Sequence, residues 1–416
     1  MRHNHFLHIY SSNKQEHAPR LGFWQGVPRH EWPLLFAIFL DLVGFGMLLP
    51  DVQTRLEAHG AHGWQIGSVF AAYFLVQMLV SPGWGQLSDR IGRKPIIIVC
   101  GLLSAGSMLA YALAHGVWGI LASRILAGCG GANVVVAQAY LADTTDEENR
   151  AAAMGRIGAA ITSGLILGPA LGGWLAAQGG NALVGSVAAS ASAFGVLWIW
   201  IGVPRQAPSQ SMGKPRQKFL DFSLLQDAPA LRPLFVVAAL AFFVLACLEG
   251  TFGRLIHHNL GFGPREFGLI FGYEALVGVI VQGALLDRIS HRISPPLLLR
   301  LGYGLQGIGL GITPFMPNLA ALFGASTLFA VGTGLANPTL NTLCSEATPQ
   351  PRQGEMFGLL QSARSFGFLF GPILGGILFD WRPAAPYLLA AGVSVAVSFL
   401  TVFRVADECH APNGDT

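Results

Sequence analysis

The sequence predicts an all-α membrane protein: twelve transmembrane helices in two parallel six-helix halves, with both termini cytoplasmic. Three observations carry that expectation. Charges are too few for a soluble body, apolar stretches of spanning length recur along the chain, and one glycine–proline pattern occurs twice. The chain has 416 residues, of which 52% are hydrophobic and only 11% charged, and its mean hydropathy is +0.51. Soluble domains carry about 25% charged residues, so this composition cannot cover a water-exposed surface of such size. A bilayer crossing takes about 20 apolar residues, and many stretches here are that long. Glycine is abundant at 53 residues, in keeping with helices that pack closely in lipid.

Taken in order, the apolar segments place spans near 32–52, 65–87, 95–114, 117–141, 153–177 and 182–203, then near 232–257, 265–286, 295–315, 318–344, 355–379 and 384–404. Lysine and arginine fall on one side of this pattern. Arg20, Arg29, Arg90, Arg93, Lys94, Arg150, Arg156, Arg205, Lys214, Arg216, Lys218, Arg288, Arg292, Arg300, Arg352 and Arg404 share one set of ends, while Arg55, Arg265 and Arg382 lie on the other. The bias predicts that the basic set is cytoplasmic. The polar stretch 204–231, with Pro204, Pro208 and Pro215, reads as a cytoplasmic linker between a half at 32–203 and a half at 232–404, with tails at 1–31 and 405–416. The N-terminal tail lacks the apolar core of a cleavable signal. His3, His5 and His8 in that tail fit no standard metal spacing. The five cysteines are scattered, four of them in apolar runs, and form neither a metal set nor a disulfide framework.

The repeat fixes the architecture. Gly155-x8-Gly164-x3-Gly168-Pro169-x2-Gly172-Gly173 recurs with unchanged spacing from Gly358 through Gly367, Gly371, Pro372, Gly375 and Gly376. Gly85-Gln86-Leu87-Ser88-Asp89-Arg90 is echoed by Gly283-Ala284-Leu285-Leu286-Asp287-Arg288, and Ala132-Asn133 by Ala336-Asn337, at nearly the same offset. That offset spans six helices, so the two halves should run in the same direction through the membrane.

These residues carry a family resemblance. The loop Gly85-Gln86-Leu87-Ser88-Asp89-Arg90-Ile91-Gly92-Arg93-Lys94-Pro95 resembles the signature loop of the major facilitator superfamily almost position for position. The glycine–proline pattern of span five is similar to the motif of its antiporter branches, and Arg124-x3-Gly128 to the arginine motif of proton-coupled members. Asp41-x2-Gly44-x-Gly46-x3-Pro50 resembles the twelve-span drug/proton antiporters, and Leu141-Ala142-Asp143-Thr144-Thr145 the bacterial tetracycline exporters. The resemblance covers roughly 33–404 and implies a major facilitator fold in a bacterial inner membrane.

Site expectations follow. Asp41 lies inside span one, where a carboxylate is costly and is by default functional; the resemblance implies a proton-coupling role, with Arg124 of span four as its partner. Glu249, Arg254 and Glu274 form a second group in spans seven and eight, as a further proton or cation site or as a neutralised cluster at the rim; Glu249 and Arg254 are five apart and share no helix face. Gly85, Asp89, Arg90, Gly92, Arg93 and Lys94, with Asp287 and Arg288 as a weaker mirror, are expected to gate the pathway, Asp89 facing the N-terminus of span eleven. Gly155, Gly164, Gly168, Pro169, Gly172 and Gly173 supply a close-packing stripe and a kink. Phe45, Tyr73, Gln77, Asn133, Gln138, Phe271, Gln282, Asn337, Asn341 and Gln361 are candidates for the substrate cavity; each polar one serves equally well as interhelical glue.

The function these signs imply is secondary transport: proton-coupled efflux of small hydrophobic organic compounds, such as drugs or tetracycline-like molecules, by alternating access. The alternative is proton-coupled uptake of a sugar, metabolite or organic acid. The expected partners are protons, a small-molecule substrate and the lipid bilayer, with no nucleic acid, cofactor or metal, and the expected unit is a monomer. A sensor or enzyme is disfavoured because the short loops hold no Walker loop, nucleotide fingerprint or catalytic triad order.

Overall fold

In the computed structural model of the chain, residues 27–28, 31–204, 223–290, 292–348 and 352–408 are described, without the side chains of 147–151, 223, 287, 353–355 and 400–408. Most of the expected tails and of the linker fall outside these residues, but 405–408, expected in the C-terminal tail, continue the last helix. Among the described residues there is no strand. The helices are α1 (Glu31–Ala58), α2 (Gly63–Ile91), α3 (Arg93–Leu113), α4 (Gly116–Gly130), α5 (Asn133–Thr144) and α6 (Glu147–Gly202), then the short α7 (Ser223–Asp227). They continue with α8 (Leu231–Leu260), α9 (Pro264–Ile280), α10 (Leu286–Ser290), α11 (Pro295–Ile312), α12 (Leu319–Glu346), α13 (Gln353–Trp381) and α14 (Ala385–Glu408).

Nine helical segments among the described residues are long and apolar enough to cross a membrane. One of them, Ala152–Gly202, has 51 residues. Unbroken, it would reach about 77 Å, against a hydrocarbon core of about 30 Å. It turns at Gly180, whose φ of 62° and ψ of −164° suit only a residue without a Cβ. The outer surface is apolar, with Leu113, Trp118, Ile201 and Trp381 among the exposed side chains. Such a surface is stable against lipid and not against water.

The structure differs from the expected spans at three places. α1 does not end near residue 52 but continues to Ala58, because Asp51 and Arg55 are satisfied inside the bundle rather than in a loop. Span four is divided by Gly131 and Ala132 into α4 and α5. Between α9 and α10 the chain forms a π-helical segment over Val281–Leu285, which takes in the first three residues of the echo of the signature loop.

Each half is built on its glycine stripe. A Cβ at Gly168 would lie 2.7 Å from both the Gly46 Cα and the Val43 carbonyl of α1, and one at Gly164 would lie 2.8 Å from the Phe39 carbonyl. In the second half a Cβ at Gly371 would lie 2.7 Å from the Phe243 carbonyl of α8, and Gly375 faces Cys247. The stripe therefore clamps α6 to α1 and α13 to α8, backbone against backbone. The last glycine of each stripe faces the other half: Gly173 meets Pro264 of α9, and Gly376 meets Gly63 of α2.

Candidate functional site

The halves meet mainly at one end. Among the described hydrogen bonds, ion pairs and ring contacts, those joining them lie at Phe74–Phe368 or beyond it, toward the end opposite the basic loops. Phe74 of α2 stacks on Phe368 of α13 with ring centroids 4.3 Å apart. Further along, the N–H of Gly63 at the start of α2 donates to Asp380 Oδ2 over 2.6 Å. Arg254 of α8 holds Asp380 Oδ1 at 3.0 Å and Glu57 Oε1 of α1 at 3.4 Å, and lies 4.3 Å above the Phe379 ring. Arg254 thus pairs with Glu57 and Asp380 and not with Glu249, as its position on the helix required. A carboxylate at the N-terminus of α2 satisfies a free N–H and the positive end of the helix dipole.

Gln53 of α1 reinforces this seal. Its side chain is fully buried; its amide nitrogen donates to the Glu249 carbonyl, and its Oε1 accepts from the Gly253 N–H at 2.8 Å. In an uninterrupted helix that N–H and that carbonyl bond each other. The side-chain amide from one half therefore bonds both groups of a helix hydrogen-bond pair of the other, beside Glu249.

At the basic end the signature loop forms its own network. Arg93 pairs with Asp89 at 2.6 Å and with Asp143 at 2.9 Å, and Arg93 Nη1 donates to Ser88 Oγ. Gly92, with φ of 97°, makes the turn that brings these groups together. Lys94 donates to the Trp200 and Val203 carbonyls, satisfying the C-terminus of α6. Arg90 and Arg288 are exposed, and a Cβ at Gly85 would meet open space. The described partner of Asp89 is thus in its own loop rather than on α13. The side chain of Asp287 lies outside the described residues.

Asp41 is buried among neutral donors. Ser104 Oγ and Ser192 Oγ donate to its Oδ1 at 2.6 and 2.7 Å, and Asn133 Nδ2 to its Oδ2 at 3.3 Å. It thereby ties α1 to α3, α5 and the second limb of α6. The expected pairing of Asp41 with Arg124 is not made. Arg124 lies 5.3 Å from the Tyr111 ring centre, with Arg55 over the same ring at 4.9 Å. The Tyr111 hydroxyl donates to Asp51 Oδ2 at 2.6 Å. Helix register explains the correction. Counted from the shared end, Asp41 lies about 26 Å deep, whereas Asp51 and Arg124 lie about 10 and 12 Å deep. Asp51 was legible as an acid in an apolar run, and this depth count identifies it as the one near Arg124.

The second half is arranged differently. Glu249 and Glu274 are half-buried at similar depth, and the charge of one acts on the other. Ser326 Oγ donates to Glu274 Oε1 at 2.6 Å. Neither carboxylate has an ion-pair partner among the described residues. Phe271 joins an aromatic stack with Phe267 at 4.3 Å, and Phe45 meets Tyr73 at 5.0 Å.

The remaining cavity candidates separate by role. Gln77 donates to the Gly131 carbonyl at the break between α4 and α5, and Asn133 serves Asp41, so both act as glue. Gln282 sits in a pocket of about 360 Å³ beside Pro338, Thr339 and Thr342, apart from the Phe74–Phe368 seam. Gln138 and Asn337 are half-buried, and Gln361 is exposed. Asn341 accepts from Arg364 of α13, a cation inside an apolar helix that sequence reasoning passed over. Gly155 is exposed, outside the clamped part of its stripe.

Comparison with known proteins agrees with this architecture. The sequence profile described as Major Facilitator Superfamily matches residues 34–351 and 289–414. Multidrug resistance protein 2 of Bacillus subtilis (strain 168) is 28% identical over 380 residues, covering 89% of this chain and 93% of that protein. Quinolone resistance protein NorA of Staphylococcus aureus (strain COL) is 25% identical over 365 residues, covering 87% and 93% respectively. Among solved structures, the nucleoside transporter NupG superposes with a TM-score of 0.70 at 15% identity, over 90% of this chain and 98% of its own.

Proposed function

Because the chain belongs to the Major Facilitator Superfamily and is a multi-pass membrane transporter, not an enzyme, we propose that it exports small hydrophobic organic compounds in exchange for protons. The names of its bacterial relatives, multidrug and quinolone resistance proteins, support the export of drug-like compounds. The observation that carries the coupling is the pair Glu249 and Glu274, two half-buried carboxylates at one depth without a cation among the described residues. Two such groups cannot both hold charge without strong repulsion, which suits them to take up and release a proton as the pathway changes access. Asp41, whose oxygens already accept three hydrogen bonds, is the alternative proton carrier, and Arg124 the cation that the first half positions.

In this reading there are twelve crossings: the nine apolar segments with Ala152–Gly202 counted twice, plus α11 and α14. The basic end is cytoplasmic, as are both termini, and the membrane is a bacterial inner membrane. The cytoplasmic side is then open and the opposite side sealed by Asp380, Arg254, Glu57 and Gln53. The signature loop would re-form the inner seal once that latch parts. Asp143 pairs with Arg93, so the Leu141–Thr145 stretch is tied to the signature loop and would take part in the gate. The transport pathway lies within one chain, which fits a monomer.

The test is substrate movement in proteoliposomes under an imposed pH gradient. With the lumen acidic, an antiporter accumulates the dye ethidium, and an ionophore that collapses the gradient stops it. Accumulation that is indifferent to the gradient, or that requires an alkaline lumen, would overturn antiport. Glu249→Gln and Glu274→Gln are each expected to abolish gradient-driven accumulation while retaining ethidium binding.

A further inference from the structure

The proton-coupling scheme leaves one intramembrane cation without a task. Arg364 of α13 donates from Nη2 to Asn341 Oδ1 of α12, and its guanidinium carbon lies 4.9 Å above the Phe242 ring of α8. Its Nε–H is buried and has no acceptor. No carboxylate among the described residues forms an ion pair with it, although a buried arginine without a counter-charge is costly. The Tyr303 hydroxyl of α11 is also buried without a partner, and is close enough for the Arg364 charge to act on it. Asn341 spends its oxygen on Arg364, which leaves its amide nitrogen as the free end. The cluster therefore presents N–H and O–H donors and lacks an acceptor.

One helical turn away is an apolar platform. Phe368 stacks on Phe74 at 4.3 Å and meets Phe242 at 5.4 Å. Arg364 lies on the basic side of this seam, where no described hydrogen bond, ion pair or ring contact joins the halves. By residue count it sits roughly 9 Å from the depth of Glu249, so an anion beside it is set back from the two acids. A planar guanidinium with a free N–H matches a carboxylate better than any neutral acceptor, and a nearby hydroxyl adds a second donor.

We propose that Arg364, Asn341 and Tyr303 form a carboxylate-binding subsite in the transport pathway, for amphiphilic aryl carboxylates whose ring lies on Phe74, Phe242 and Phe368. The proposal deepens the export reading by naming a substrate class, and the binding measurement below stands apart from transport. The purified full-length protein is titrated with 1-pyrenebutyrate, with its primary amide, and with chloride as competitor. The carboxylate should bind at least about tenfold more tightly than the amide, as expected for a charge-assisted pair. Arg364→Gln should equalise the two ligands, and Tyr303→Phe should narrow the preference by roughly threefold, the size of one modest hydrogen bond. Equal affinity for acid and amide in the unaltered protein, or a preference that survives in Arg364→Gln, overturns the proposal. So does chloride competing as strongly as pyrenebutyrate, which would make this a general anion site. Should Arg364→Gln fail to fold, the acid–amide comparison in the unaltered protein and Tyr303→Phe decide. Ethidium accumulation in proteoliposomes reports on export separately: export without carboxylate preference removes this proposal alone, and preference without export removes the export reading alone.

Discussion

In the N-terminal half the buried acids are met by donors of their own half, while Arg124 lies over the Tyr111 ring with a buried Nε–H that has no acceptor. Asp41 accepts from Ser104, Ser192 and Asn133, and Asp51, Arg55 and Arg124 surround Tyr111. In the C-terminal half, Glu249, Glu274 and Arg364 stand without ion-pair partners among the described residues, and Arg254 reaches across to Glu57 of the other half. Yet both halves share the same glycine clamp, α6 on α1 and α13 on α8. The duplication preserved the backbone frame, where a single added Cβ clashes, and left the buried charges free to diverge. Charges satisfied within one half fasten that half as a body. On the export reading, charges left without such partners are the ones available to a proton or a substrate.

The frame is the part most easily broken. Gly168→Leu and Gly371→Leu each push a side chain into facing backbone, and overpacking of that kind costs about 1–3 kcal/mol or more. Both are expected to remove most folded protein, read as the monodisperse peak in size-exclusion chromatography. If only one did so, the shared frame would not be equally important in the two halves.

Next in size, the comparison separates stability from coupling. Asp51→Asn removes the charge that accepts from the Tyr111 hydroxyl beneath Arg55 and Arg124, and breaking a buried charge cluster costs about 3–5 kcal/mol where burial is complete. A drop in Tm of several degrees is expected in detergent. Glu274→Gln should change Tm little, since its one described bond is to Ser326, while it abolishes pH-driven transport. Equal loss of Tm in both variants would erase the distinction between a fastened and an open half.

A smaller effect concerns the seal. Gln53→Leu removes the amide that bridges Glu249 and Gly253, and Asp380→Asn weakens the cap on α2. Each should shift the balance between open states by about 1 kcal/mol, roughly fivefold in population. Spin-label distances between the halves at the sealed end would show it as a longer-distance component; an unchanged distribution would show that these contacts do not hold the seal. The smallest expected effect is that of Gln282→Ala, whose pocket lies off the aromatic seam: ethidium transport within about twofold of the unaltered protein, as for a surface substitution. A large loss would move the pathway toward that pocket.

Much of this was legible because it depends on local pattern. Apolar run length, the paired glycine motifs and the signature loop lie along the chain and need no partner to be recognised. Asp41, Glu249 and Glu274 were legible for the same reason, as acids in apolar runs. Arg364 and Asp51 carried the same signal, and the depth count along α1 and α4 was available to match Asp51 with Arg124.

The sequence alone therefore determined the class of protein, its duplicated build and which side chains are costly to bury, because solvation acts on each residue by its own chemistry. Only the tertiary structure decided how those side chains are partnered. Asp41 turned to two serines and an asparagine, Arg254 bridged the halves, and Gln53 bonded both groups of a helix hydrogen-bond pair of the opposite half. Such pairings depend on helix rotation and relative depth, which are set by packing between segments far apart in the chain. The glycine stripe on which the reading of the duplication began shows both levels. Its spacing announced a repeat, and the fold revealed that its first glycines fasten each half while its last, Gly173 and Gly376, touch the other.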